Sequence, residues 1–229
     1  MDLDSDKKSR GTKLIIGFYG HWVILTYIGV ISAILGINFA IQGNIRYAII
    51  CLMVSGLCDM FDGPVARLKK RMDREENFGI QIDSLADIVC FGILPAIIGF
   101  AITSDHAGHI NGSFGMMANV AVYSIYVLAA LIRLGYFNVI EIELNSRNEK
   151  RKYYEGLPVT SVALIIPVVY AVCYYFSFSL SVVYNKLLIL LAIAFLLKVR
   201  IPKPKTRFLI VFCLIGVPIL VLIYLSRGA

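Results

Sequence analysis

The sequence predicts an all-α membrane protein, a polytopic helix bundle with about seven transmembrane helices and a range of six to eight. Three observations carry that prediction. Hydrophobic residues make up 59% of the 229 positions, only 16% are charged, and the mean hydropathy is +0.78, which excludes an ordinary soluble domain. Apolar runs recur at His21–Gln42, Tyr47–Met60, Ile80–Ile102, Met116–Val139, Leu157–Phe178, Leu180–Leu197 and Phe208–Leu225. Most approach the roughly 20 residues that a helix needs to cross a bilayer. The segments between them are rich in Lys and Arg only in alternation, which is the pattern of a chain threaded back and forth.

Taken in order, Met1–Arg10 is polar, of mixed charge and expected to be disordered. Thr12–Trp22 holds Lys13, Leu14, Ile15, Phe18, Tyr19 and Trp22, an amphipathic lead-in suited to lying along the membrane interface. It lacks the small-residue cleavage site of a secretory signal and is expected to stay in the mature fold. The first crossing carries Thr26, Gly29, Ser32 and Gly36 at spacings of three and four, a face for close packing or for a ligand. The second carries Ser55, Gly56, Asp59 and Asp62 towards its end. A dense basic loop follows, with Arg67, Lys69, Lys70, Arg71 and Arg74.

After the third crossing, Ser104–Gly115 has Asp105, His106 and His109 but no Lys or Arg; the histidines there read as solvated residues. Arg147, Lys150, Arg151 and Lys152 follow the fourth crossing, and Lys198, Arg200, Lys203, Lys205 and Arg207 follow the sixth, whose start is interrupted by Tyr184, Asn185 and Lys186. With Lys7, Lys8 and Arg10, all these basic groups fall on one side, the cytoplasm, in a multi-pass protein of the cell membrane. The net charge of +7 therefore reports topology, and no nucleic-acid partner is expected. The five cysteines, an odd number, lie in apolar runs and read as small buried hydrophobes. Three parts are expected: residues 1–20 as N-terminus and interfacial helix, 21–205 as the main membrane domain, and 206–229 as a last transmembrane helix.

The stretch CDMFDGPVARLKKRMDREENFGIQIDSLAD, from Cys58 to Asp87, does not fit a purely lipid-facing chain. It sets Asp59, Asp62, Asp83 and Asp87 beside or inside apolar runs. Each carboxylate at the bilayer centre costs about 2.5–3.5 kcal/mol, so four together cost on the order of 10 kcal/mol unless something offsets them. Asp59 and Asp62 are three apart and Asp83 and Asp87 four apart, so each pair shares a helix face. Gly63 and Ala66 continue the first face and Gly79 begins the second, leaving room for a bulky group or a close helix approach. Hard oxygen donors in this number suit two divalent cations, Mg²⁺ or Mn²⁺, of the kind that serve phosphoryl transfer. Arg67, one turn after Gly63, adds a fixed cation for phosphate oxygens.

The pattern D-x-x-D-G-x-x-A-R, a spacer, then G-x-x-x-D-x-x-x-D stands here as Asp59, Asp62, Gly63, Ala66, Arg67, Gly79, Asp83 and Asp87. It resembles the signature of the CDP-alcohol phosphatidyltransferases at all eight positions. The segments IDSLADIVCFG (Ile82–Gly92), RLGYFN (Arg133–Asn138) and YEGLP (Tyr154–Pro158) are similar to segments of the bacterial phosphatidylserine synthases of that family, with Gly135 and Tyr136 departing from the pattern. The resemblance covers roughly residues 20–205. It implies transfer of the phosphatidyl group from CDP-diacylglycerol to the hydroxyl of L-serine, with release of CMP. It also implies that Asp59, Asp62, Asp83 and Asp87 hold the metal ions and that Asp87 is in addition the general base. Thr26, Asp59, Gly63, Ala66, Arg67 and Gly79 are then expected at the CDP-lipid, Arg133 and Asn138 at the acceptor, membrane lipids around the bundle, and a homodimer as the assembly.

Other readings stay open at this level. A sibling transferase using another alcohol or an archaeal-type lipid donor would carry the same aspartates. A divalent-cation transporter would also place carboxylates in the membrane, but would not need Gly63, Ala66 and Arg67. A non-catalytic lipid-binding scaffold would tolerate loss of Asp87.

Overall fold

A computed structural model describes residue 20, residues 23–66, 73–104, 113–146 and 153–202, and positions 216 and 218. The expected interfacial helix, the loop with Arg67, the histidine loop and nearly all of the Phe208–Leu225 run lie outside the described residues. The rest is a helical bundle. Helix α1 spans Ile24–Ile41, α2 Ile45–Ala66 and α3 Asp73–Asp87. A π-helical segment, Ile88–Ile93, leads straight into α4, Leu94–Ser104. Helix α5 spans Ser113–Ser146, α6 Val162–Tyr175 and α7 Leu180–Leu196. Among the described residues three stretches are long and apolar enough to cross a membrane, Ile24–Ile41, Asn77–Ser104 and Gly115–Leu144, and Val159–Tyr175 and Leu180–Leu196 are shorter apolar helices. The architecture is that of a membrane helix bundle.

Helices α1 and α2 form a hairpin because of what stops the first. Gly43 takes φ +78°, its N–H donates to Ala40 O, and the next N–H, of Asn44, reaches Phe39 O at 2.9 Å. That pair of bonds is a Schellman cap, which only a residue at ease with positive φ allows. The chain returns along the small face of α1, where Thr26, Gly29, Ser32, Ala33, Gly36 and Ala40 are buried. Two hydroxyls stitch the pair: Ser32 Oγ donates to Cys51 O at 3.0 Å, and Ser55 Oγ to Gly29 O at 2.9 Å. Lipid offers no hydrophobic drive for helix association, so small residues and such side-chain bonds carry the contact. The opposite face of α1, with Ile24, Ile28, Ile31, Ile34 and Leu35, is exposed and suits acyl chains.

The expected all-α class describes the bundle, with one addition that the sequence did not foretell. Strand β1, Tyr153–Glu155, pairs antiparallel with β2, Arg200–Pro202, Tyr154 lying opposite Ile201. Gly156 and Pro158 before α6, and Pro202 after α7, keep helix from forming at either strand, and the two chain ends that enter and leave the α6–α7 pair meet there. Gly156 is the pivot. It has φ +73°, and its N–H donates to Val199 O at 2.6 Å. A Cβ at this position would lie 2.5 Å from Leu197 O and 2.8 Å from the Arg133 guanidinium. Gly156→Ala is therefore expected to cost about 1–3 kcal/mol through backbone strain, with steric displacement in addition; a clear drop in the thermal midpoint of detergent-purified protein checks it, and an unchanged midpoint counts against the described junction.

Candidate active site

The site is built where the end of α2 meets the continuous helix of α3 and the π segment. Asp59 and Asp62 lie in the last two turns of α2, and Asp83 and Asp87 in the last turn of α3. The order in which their carboxylates meet, Asp59 with Asp87 and Asp62 with Asp83, sets the two helices in opposite senses, and α1 packs against both. As a result one carboxylate oxygen from each of Asp59, Asp83 and Asp87 lies within 4.8 Å of the others. Asp59 stands within hydrogen-bonding reach of Asp87, and Asp62 of Asp83. Thr26 of α1 donates its hydroxyl to Asp62 Oδ2 at 3.3 Å, and Asp62 is only 9% exposed.

The four aspartates line one narrow cleft, whose walls include Thr26, Gly29, Ser55, Cys58, Ala86, Cys90 and Phe91. Mutual repulsion of four carboxylates in so small a volume is severe in a low-dielectric setting. The donor set fits divalent cations: every close group is a hard oxygen, the oxygens are near enough together for a shared ion, and there is no histidine among them. Cys58 and Cys90 lie in the wall but outside this cluster of ligand atoms.

Thr26 is brought to the aspartates by its bond to Asp62. Gly79 lies on α3 one turn before Asp83. Gly63 and Ala66 close α2 directly after the first pair, while Arg67 lies outside the described residues. The two acceptor candidates sit elsewhere. Asn138 Oδ1 accepts from Ser84 Oγ at 2.6 Å, so α5 is tied to α3 at the residue next to Asp83. Arg133 does not line the cleft. It is 6% exposed, donates to Phe195 O at 3.2 Å and Gly156 O at 3.1 Å, and lies over the Phe137 ring at 4.3 Å. Main-chain carbonyls of two neighbouring segments are among the groups that hold it there.

Ser84 and the π segment were missed by sequence reasoning. Ser84 sits between two signature positions and gave no signal of its own. Pro95, which cannot donate to the carbonyl four residues earlier, was the one hint that the helix after Asp87 is irregular.

The sequence profile of the CDP-alcohol phosphatidyltransferases matches residues 23–198. The chain belongs to that family. It is 37% identical over 150 residues to the CDP-diacylglycerol–serine O-phosphatidyltransferase of Saccharomyces cerevisiae, an alignment covering 63% of this chain and 50% of the yeast protein. It is 28% identical over 193 residues to the archaetidylserine synthase of Methanothermobacter thermautotrophicus, covering 84% of this chain and 73% of that protein. A CDP-diacylglycerol–serine O-phosphatidyltransferase of Helicobacter pylori is 34% identical over 124 residues, 53% of this chain and 45% of that one. The chain thus spans about half the length of the yeast and Helicobacter relatives.

The Ser84–Asn138 bond makes a direct prediction. In a double-mutant cycle of Ser84→Ala and Asn138→Ala, followed by chemical unfolding in detergent, a coupling of about 0.5–1.5 kcal/mol is expected. Purely additive losses would mean that the two side chains do not meet.

Proposed function

We propose that this protein transfers the phosphatidyl group from CDP-diacylglycerol to the hydroxyl of L-serine, giving phosphatidylserine and CMP. The observation that carries this reading is the meeting of Asp59, Asp83 and Asp87 within 4.8 Å on a signature that also supplies Gly63, Ala66 and Arg67. The serine-transferase names of the relatives narrow the acceptor. Under this reading the protein is multi-pass in the cell membrane, with about seven spans in residues 21–205 and 206–229, and its cleft opens to the cytoplasm beside the basic loops. A homodimer is part of the proposal.

Asp59, Asp62, Asp83 and Asp87 would hold two divalent cations, Mg²⁺ or Mn²⁺. When bound, such ions neutralise charge on the diphosphate and polarise the phosphorus under attack. The protein's own groups do the rest. Thr26 steadies Asp62 through its hydroxyl, and the small Gly63 and Ala66 with Arg67 and Gly79 receive the CDP group. Asp87 takes the proton of the serine hydroxyl. The serine oxygen forms a bond to the phosphatidyl phosphorus, the bond from that phosphorus to the CMP oxygen breaks, and CMP leaves with the electron pair.

On the acceptor side, Asn138 is the candidate for a direct polar contact, being tied through Ser84 to the aspartate helix. For Arg133 the reading is an organising one: it fastens Gly156 and Phe195 behind the site. A second reading, that the lipid donor is an archaeal ether lipid, is favoured by the likeness to the archaetidylserine synthase over 84% of the chain.

The direct test is purified protein with CDP-diacylglycerol, labelled serine and Mn²⁺, followed by identification of the lipid and of CMP. Asp87→Asn should lower CMP release about 10²–10⁴-fold with folding retained, and chelation should stop wild-type turnover until metal is returned. Wild-type turnover in that variant removes the assigned base, and no CMP from any alcohol with either donor lipid removes the transferase reading. Arg133→Ala should lower the thermal midpoint and move the KM values for serine and for the nucleotide lipid together. A selective rise in the serine KM with an unchanged midpoint would instead place its guanidinium on the acceptor.

A further inference from the structure

The helix that carries Asp83 and Asp87 is not a uniform α-helix. Directly after Asp87 it widens to a π-helix over Ile88–Ile93, and the N–H of Leu94 bonds back five residues to Val89 O. Such segments are rare and concentrate at functional sites. Beyond it, three backbone carbonyls on one stripe, Phe91, Pro95 and Gly99, each take a buried tyrosine hydroxyl. Tyr126 Oη donates to Phe91 O at 2.5 Å, Tyr184 Oη to Pro95 O at 2.9 Å, and Tyr123 Oη to Gly99 O at 2.9 Å. The three tyrosines are 0%, 1% and 7% exposed.

The first rung differs from the others. Phe91 O lies four residues before Pro95, which has no N–H to give it, so α-helical closure is impossible at that carbonyl. Phe91 itself is a wall of the cleft, one turn past Asp87. In an unbroken α-helix Asp83, Asp87, Phe91, Pro95 and Gly99 would drift slowly around the axis together. The wide turn changes that angle between the carboxylates and the tyrosine stripe. Tyr126 holds the carbonyl inside the wide turn, and its ring is in turn set against Phe195 of α7, with centroids 5.8 Å apart.

We infer that Tyr126 is a positioning residue for the carboxylates: its hydroxyl fixes the π turn after Asp87 and so sets the direction in which Asp87 and Asp83 face Asp59. This rests on the reading that the aspartates bind divalent metal. Tyr184 and Tyr123, bonded farther along the stripe, hold the bundle together without setting that angle.

The test uses full-length protein in detergent, with Mn²⁺ binding followed by loss of the free-ion EPR signal in the absence of substrate, and thermal unfolding in chelator. Tyr126→Phe and Tyr123→Phe each delete one hydroxyl from a buried carbonyl, so both should lower the midpoint. Only Tyr126→Phe should weaken Mn²⁺ binding, about 10-fold or more, as groups that orient metal ligands do. Equal Mn²⁺ affinity in Tyr126→Phe and wild type, or a loss in Tyr123→Phe matching it, overturns the inference. Pro95→Ala gives a check that does not depend on the folding of Tyr126→Phe. It supplies the missing N–H to Phe91 O and lets the turn close to α, so Mn²⁺ binding should weaken without loss of midpoint. Undiminished binding in that variant also overturns it. A wild-type protein that takes up no Mn²⁺ overturns the metal reading itself, and this inference with it.

Discussion

The structure depends on one constraint: four carboxylates must share a small volume within an apolar helical bundle. Asp59 and Asp62 arrive on one helix, Asp83 and Asp87 on another, and they meet in reversed order. Either pair is costly in an apolar bundle, and the proposed divalent cations would offset the charge of both. Around that demand the rest falls into place. The hairpin of α1 and α2, closed by Gly43 and stitched by Ser32 and Ser55, brings Thr26 to Asp62. The Ser84–Asn138 bond ties α5 to the second acidic helix.

A second centre of order lies behind the site. Arg133, Gly156 and the two short strands join α5, the start of α6 and the end of α7 at one point. Burying a guanidinium in a membrane protein is costly, and here two main-chain carbonyls and an aromatic face receive it. The same arrangement explains why a glycine precedes Leu157 and Pro158. It needs both the left-handed backbone and the absence of a Cβ, since either a strained φ or a methyl group would push the arginine away.

The acidic site was legible in the sequence because carboxylate spacing on a helix is a local rule: three apart and four apart can only mean one face. The apolar runs were legible for a similar reason, since each helix from α1 to α7 falls within or across a run of suitable composition. The π segment was not, because Ile88–Ile93 is uniformly apolar and no periodicity separates a π turn from an α turn over six residues. The tyrosine stripe was hidden by distance: Tyr126 and Tyr184 lie 35 and 89 residues from the carbonyls they meet. Arg133 was expected at the acceptor because a charge near the end of an apolar helix needs a partner. Two of the groups it meets are backbone carbonyls, which carry no residue identity and leave no trace in a sequence.

The most direct measurement is a crystal or cryo-EM structure of the protein with Mn²⁺, the ions located by anomalous scattering or by density. Ions bridging Asp59, Asp83 and Asp87 and touching Asp62 are the expected result. Ions bound only elsewhere, with these four side chains pointing into separate surroundings, would contradict it.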